Sequence, residues 1–389
     1  MENKKHSNHI LLSNRVAFMV IGCLEAAWSP IVPYVKNTFS LDEGSLGLLM
    51  LCSGLGSVAA LPVAGTLCSR YGAKNTVWAS GFLMIAALFA ISSLYSVWLT
   101  AVMLMIFGAC TIFIDVSANV NGIVLEHRLS HHLMSGFHGG YSLGTLIGAA
   151  LTSSLFSLGL VPWQAVVVMG ILVLLAILYG SRGLLHRENL PSSNAAVSES
   201  GNKLGIPPLV IVVGLMCFVM YSAEGAVLGW GAVFACEDRG VDIRFAGFFY
   251  VAFAIMMTVN RFWGDWLVDR FGQRTIVAGG ALLAATGFAV TALVPYAAAT
   301  IAGFAMVGFG AANLVPQLVS FTGLIPGIAV QKAVSVINAL GYSGILVGPV
   351  IIGFIAQHFN LETSFCCISV AILCVAITAF VILGKYSKK

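Results

Sequence analysis

Twelve apolar runs, most of them 20 residues or longer, fill almost the whole chain and decide what it can fold into. They lie at 15–36, 45–68, 75–94, 97–124, 133–158, 162–184, 207–235, 245–268, 275–294, 297–322, 332–357 and 362–384. A helix of that length matches the hydrocarbon thickness of a bilayer. Inside lipid only helices and closed barrels can satisfy their own backbone. Charged residues are 9% of the 389, against about 25% in soluble domains, which excludes a core wrapped in a charged surface. The expected fold is an all-α membrane protein with twelve transmembrane helices in two pseudo-symmetric six-helix bundles.

The two-bundle reading rests on a linker and a repeat. HRENLPSSNAAVSESGNK (186–203) is the one long polar interruption, with six apolar runs on either side. This gives an N-terminal bundle over 1–185, a linker over 186–204 and a C-terminal bundle over 205–389. GTLCSRYGAK (65–74) recurs as GDWLVDRFGQR (264–274), HGGYSLG (138–144) as NALGYSG (338–344), and Glu25 as Glu224. With both termini cytoplasmic, 16 of the 19 Lys and Arg fall on the cytoplasmic side; Lys36, Arg239 and Arg244 do not. The basic start MENKKHSNHILLSNR before an apolar run suggests a signal peptide, but the run continues past Glu25 to Val35 and reads as a first span. The nine cysteines sit mostly in apolar runs without metal spacing and read as small core residues.

Three carboxylates, Glu25, Asp115 and Glu224, lie well inside spans, where each costs about 2.5–3.5 kcal/mol if it faces lipid. Helical spacing puts Trp28 and Ser29 on the face of Glu25, Asn119 on that of Asp115, and Tyr221 on that of Glu224. The fifth run offers His138, Tyr141 and Ser142; the tenth Asn313, Gln317 and Ser320; the eleventh Asn338 and Tyr342. The third, sixth, ninth and twelfth runs carry almost no such groups and are expected to face lipid. Polar residues confined to some helices fit a hydrated pocket between the bundles at the membrane midplane. A packing carboxylate hydrogen-bonded inside the N-terminal bundle is the rival reading of Glu25. Trp28 and Trp230 can stack on a cargo ring or simply fill space. The glycines of the fifth and eleventh runs, with Pro349, are read as close-packing and bending positions.

GDWLVDRFGQR resembles the cytoplasmic signature of the major facilitator superfamily, with Gly264, Asp269, Arg270, Gly272 and Arg274 matching it. The first copy keeps Gly65, Arg70, Gly72 and Lys74 but has Ser69 where the family has aspartate, so its charge clamp is lost. Within the superfamily, IDVSANVNGIVLEHR (114–128), GFHGGYSLGTLIGAAL (136–151), YSAEGAVLGW (221–230), TVNRFWGDWLVDR (258–270) and GYSGILVGPVIIGF (341–354) resemble the fucose-permease-like branch, and most of all its MosC-like and YbjJ-like bacterial membrane proteins. The resemblance implies a transporter. It also implies a proton-coupling role for the carboxylate and asparagine that match Asp115 and Asn119. On the first helix the branch's aspartate falls on Ser29, one turn after Glu25.

These readings converge on a secondary active transporter of a small polar solute, such as a sugar or cyclitol, in the bacterial inner membrane. Protons are the expected coupling ion, because closing a low-dielectric cavity around a carboxylate favours its neutral form. Asp115 leads as proton carrier, with Glu25 and His138 behind it. Glu25, Trp28, Ser29, Asn119, Tyr141, Tyr221, Glu224, Asn313, Gln317, Asn338 and Tyr342 are the candidate substrate ligands. Gly65, Arg70, Gly72, Gly264, Asp269, Arg270, Gly272 and Arg274 are the candidate gate on the cytoplasmic side. An exporter of amphipathic drugs is the rival within transport. A membrane sensor on the same fold is the rival outside it, although no soluble signalling domain is read at either end. GxxxxGK[ST] is absent, which leaves ATP-driven transport unsupported. His127, His131 and His132 sit beside Arg128 in a solvated loop rather than a metal site. No catalytic pair is found, and no cofactor, metal or nucleic acid is expected; the partners are solute, protons and lipid, and the chain is expected to be a monomer.

Overall fold

The computed structural model describes residues 2–129, 133–185, 206–328 and 330–386, and the predicted linker with His131 and His132 lies outside them. The described residues form twelve α-helices joined by short turns and 3-10 segments, with no strand. They are α1 (Glu2–Phe39), α2 (Glu43–Ser92), α3 (Val97–Leu129), α4 (Met134–Ser157), α5 (Pro162–Gly180), α6 (Pro208–Glu237), α7 (Phe248–Phe271), α8 (Gln273–Leu293), α9 (Ala297–Ala311), α10 (Leu314–Ser320), α11 (Val330–His358) and α12 (Leu361–Tyr386). Among the described residues nine helical stretches are long and apolar enough to cross a membrane, α9 and α10 counting as one. The 50-residue α2 is two spans joined at a corner, and α4 and α7 complete the twelve.

The α2 corner is made by Gly72, at φ 85° and ψ 155°. Two hundred residues later Gly272 turns α7 into α8 at φ 81° and ψ 149°. Glycine alone adopts such angles without strain. The repeat read in the sequence is therefore a repeat of backbone geometry, and Ser40 and Gly240, both at positive φ, extend it.

Each unit is then held by the same seam. A β-carbon on Gly144 or Gly148 of α4 would collide with the Met19 or Cys23 carbonyl of α1. Gly344 and Gly348 of α11 lie in the same way against Phe218 and Ser222 of α6. Lipid offers no hydrophobic drive between helices, so such backbone-close packing carries their association. Gly108 of α3 against Ser53, and Gly308 of α9 against Phe253, repeat a second seam at the same spacing.

The tenth span departs from the unbroken helix expected over 297–322. It stops at Ala311, turns at Ala312 and Asn313, and resumes as α10 and a 3-10 turn over Phe321–Leu324. Pro316 explains the break: it has no N–H for the carbonyl of residue 312 and its ring crowds that carbonyl.

The chain divides into two compact units, Met1–Ser40 with Cys52–Ser200, and Leu41–Leu51 with Gly201–Lys389. The first turns of α2 thus belong with the C-terminal unit, where Gln357 Nε2 donates to Asp42 Oδ2 at 3.3 Å and Met50 lies against Gly229. In that unit Arg239, with 1% of its side chain exposed, ties four helix ends. It pairs with Glu362 at 2.7 Å, donates to the carbonyls of Thr291 and Ala292 and to Thr300 Oγ1, and stacks on Phe234.

Candidate functional site

In the N-terminal unit the α1–α4 seam builds the first half of the polar constellation. Gly22 lets the Tyr141 backbone approach α1. From there the Tyr141 hydroxyl donates to Glu25 Oε2 at 2.8 Å, and Glu25 is half-buried. One turn on, Trp28 is buried and Ser29 wholly so, its hydroxyl without a hydrogen-bond partner among the described residues.

On α3, Asn119 Nδ2 donates to Asp115 Oδ1 at 3.0 Å and to the Asp115 carbonyl at 2.9 Å, across one helical turn. Among the described residues the Asp115 side chain bonds with Asn119 alone; His138 is not its partner. His138 is exposed on α4 with its ring 4.9 Å from that of Phe18.

In the C-terminal unit Tyr221 of α6 and Tyr342 of α11 meet at 5.4 Å between ring centroids, over the notch left by Gly341. Glu224 shares their neighbourhood with a group the sequence reading passed over. Arg261 of α7 is close enough for its charge to act on both Glu224 and Tyr221. Its signal was available, since an arginine ten residues inside a span is as anomalous as a carboxylate there.

Asn313 forms the corner of the broken span, buried, its Nδ2 donating to the Asn260 carbonyl at 3.3 Å and its Oδ1 facing Gly264. The backbone carbonyl of Gln317 accepts from Gln273 at 2.7 Å, and Asn338 is half-buried on α11. Trp230 is fully buried and donates to the Pro349 carbonyl at 3.2 Å, which is a packing role.

The two copies of the signature loop share their corner and differ in their surroundings. Gly264 has no room for a β-carbon because Asn313 fills the place, whereas Gly65 faces open space. Arg70 lies over Tyr71 and Arg270 over Trp266 and Phe271, so both arginines stack on aromatic rings. Asp269 is exposed, Ser69 Oγ donates to the Thr66 carbonyl, and Arg274 Nε donates to the Phe380 carbonyl at 2.9 Å.

A twelve-span chain with this repeated corner is matched by the family model described as Major Facilitator Superfamily, over residues 16–327 and 262–389. The chain belongs to the major facilitator superfamily. This transporter is 37% identical over 369 residues to an uncharacterized MFS-type transporter of Yersinia pestis, covering 95% of this chain and 94% of the relative. It is 28% identical over 348 residues to the membrane protein MosC of Rhizobium meliloti, covering 88% and 83% of the two chains. Among solved structures it is similar in fold to the nucleoside transporter NupG, with a TM-score of 0.75, 13% identity and coverage of 96% and 99%. A bacterial homolog of the human lysosomal transporter Spinster, inward-facing and unoccupied, gives a TM-score of 0.75 at 14% identity, with 98% of each chain covered. The transporter fold and the superfamily are thereby fixed, and the cargo is left to the polar groups of the two units.

Proposed function

We propose that this transporter moves a small polar solute, such as a sugar or cyclitol, by alternating access coupled to protons, as a monomer in the bacterial inner membrane with both termini cytoplasmic. The observation that carries the reading is Asp115 with Asn119: a carboxyl group inside a span whose only hydrogen-bonding partner among the described residues is a neutral amide. Such a group can lose and regain a proton without breaking an ion pair, as a coupling site requires. Glu224 differs, because the charged Arg261 lies near it. Glu25, bonded to Tyr141, is assigned to holding the solute together with Trp28, and the Tyr221–Tyr342 rings suit the apolar face of a sugar.

A thermal-shift screen of the purified protein against sugars, cyclitols, amino sugars and common drugs identifies the solute. Uptake of the hit into liposomes is then followed with and without an imposed pH gradient. Gradient-driven accumulation is expected, and uptake indifferent to the gradient overturns the coupling. A screen answered only by drugs overturns the polar cargo.

A further inference from the structure

Two asparagines meet where the tenth span breaks, on the contact between α7 and the interrupted helix. Asn260 of α7, 5% exposed, donates from Nδ2 to the Phe309 carbonyl of α9. Asn313, 7% exposed, donates from Nδ2 to the Asn260 carbonyl at 3.3 Å. These contacts fix which way each amide faces, because an amide oxygen in the same place would oppose a carbonyl oxygen. Both NH2 groups are thereby spent on backbone, and the two amide oxygens are left over. Asn260 Oδ1 is buried with no hydrogen-bond partner among the described residues. Asn313 Oδ1 lies against Gly264, one turn along α7 from Asn260. A third oxygen comes from the break itself. α9 ends at Ala311, and the Ala312 carbonyl next to Asn313 meets no N–H at Pro316.

A buried amide oxygen without a partner is costly, and it points to a guest that brings positive charge. A water brings two hydrogens, but its own lone pairs then need donors, and both asparagine donors are taken. A cation needs oxygens only. The three oxygens are neutral, which suits a single charge rather than a divalent ion, whose sites draw on carboxylates. The end of α9 adds the negative pole of its dipole. Unwound carbonyls at such a half-helix end are ligands that membrane transporters use for sodium. We infer that the C-terminal unit binds one sodium ion at the break, with Asn260 Oδ1 as its anchoring ligand and Asn313 Oδ1 and the Ala312 carbonyl as the neighbouring oxygens. The ion fastens α7 to the interrupted span. Asp115, the proposed proton carrier, lies in the other unit, and the sodium site is tested with neither solute nor pH gradient.

The test uses the full chain in nanodiscs, prepared in choline chloride and titrated with sodium or potassium chloride at constant ionic strength. Binding is read with radioactive sodium, and thermal unfolding is read alongside. Saturable binding of one sodium per chain is expected, displaced by unlabelled sodium and not by choline. The unfolding temperature is expected to climb with the logarithm of the sodium concentration once the site fills. Asn260→Leu keeps the volume and removes the ligand, and is expected to weaken sodium binding about tenfold or more. Asn260→Asp keeps an oxygen and adds a charge, and is expected to bind sodium more tightly. Its second oxygen then opposes the Phe309 carbonyl, so its unfolding temperature is expected to depend more steeply on sodium than that of the parent. Equal unfolding temperatures in sodium and choline overturn the site and leave the oxygen to water, and a response to sodium no greater than to potassium overturns the choice of ion. Sodium affinity unmoved by Asn260→Asp, or retained in a folded Asn260→Leu, places the ion elsewhere and overturns the site as well.

Discussion

Two glycines in equivalent loops are expected to respond oppositely to a single methyl group. Gly65 lies within α2 with nothing near its missing side chain, so Gly65→Ala is expected to leave stability unchanged or to raise it by up to about 1 kcal/mol through helix propensity. Gly264→Ala drives a methyl into Asn313, which joins α7 to the broken span, and is expected to cost about 1–3 kcal/mol. Thermal unfolding of the two variants in one detergent separates them, and equal shifts would contradict the packing at Gly264. The sequence shows two copies of one motif and cannot show this difference, because it depends on what a distant span brings to each copy. Arg261 teaches the same lesson. In the charge tally it counts as one more cytoplasmic cation, and only the packing of α7 beside α6 brings its charge within reach of Glu224.

At the scale of elements, periodicity and run length located the spans, and the glycines of the fifth and eleventh runs marked close packing there without saying that α1 and α6 are the partners. The break at Asn313 was missed although Pro316 was in view. Proline is tolerated within many membrane helices, as Pro30 and Pro33 are in α1, so its presence does not say which helix stops. Arg239 was also underread, as an exception to charge asymmetry rather than a fastening point. Its guanidinium satisfies the last carbonyls of α8 and reaches α9 and α12, which a linear reading of 239 cannot foresee. Arg239→Gln is expected to destabilise the protein by about 3–5 kcal/mol, because it strands those carbonyls together with one member of an ion pair. Glu362→Gln, at a carboxylate whose side chain is 40% exposed, is expected to cost well under half of that. Chemical denaturation of the two variants decides the matter, and equal losses would mean that the ion pair rather than the carbonyl contacts holds the helix ends.

The proposed proton coupling belongs to the whole molecule, since a proton taken up in one conformation must be released in another, and its pH dependence has to be assigned to the right group. Asp242, in the turn between α6 and α7, is held down to about 2 by hydrogen bonds and charge from Arg244. The ordinary aspartate value is about 3.9. A carboxyl depressed in the folded state contributes stability above the unfolded value and loses it as the pH falls through the folded one. That window lies below about pH 4, so Asp242→Asn is expected to leave the transport profile between about pH 5 and 8 unmoved. Asp115→Asn removes the exchangeable proton and keeps a neutral side chain beside Asn119. A transporter that no longer needs to release that proton can still exchange solute for solute. Counterflow at equal pH on both sides is therefore expected to persist in Asp115→Asn, while accumulation driven by a pH gradient falls to the level set by the solute gradient alone. Accumulation retained in this variant would remove Asp115 from the coupling and move the search to Glu25, whose bond to Tyr141 makes Tyr141→Phe the next substitution to measure.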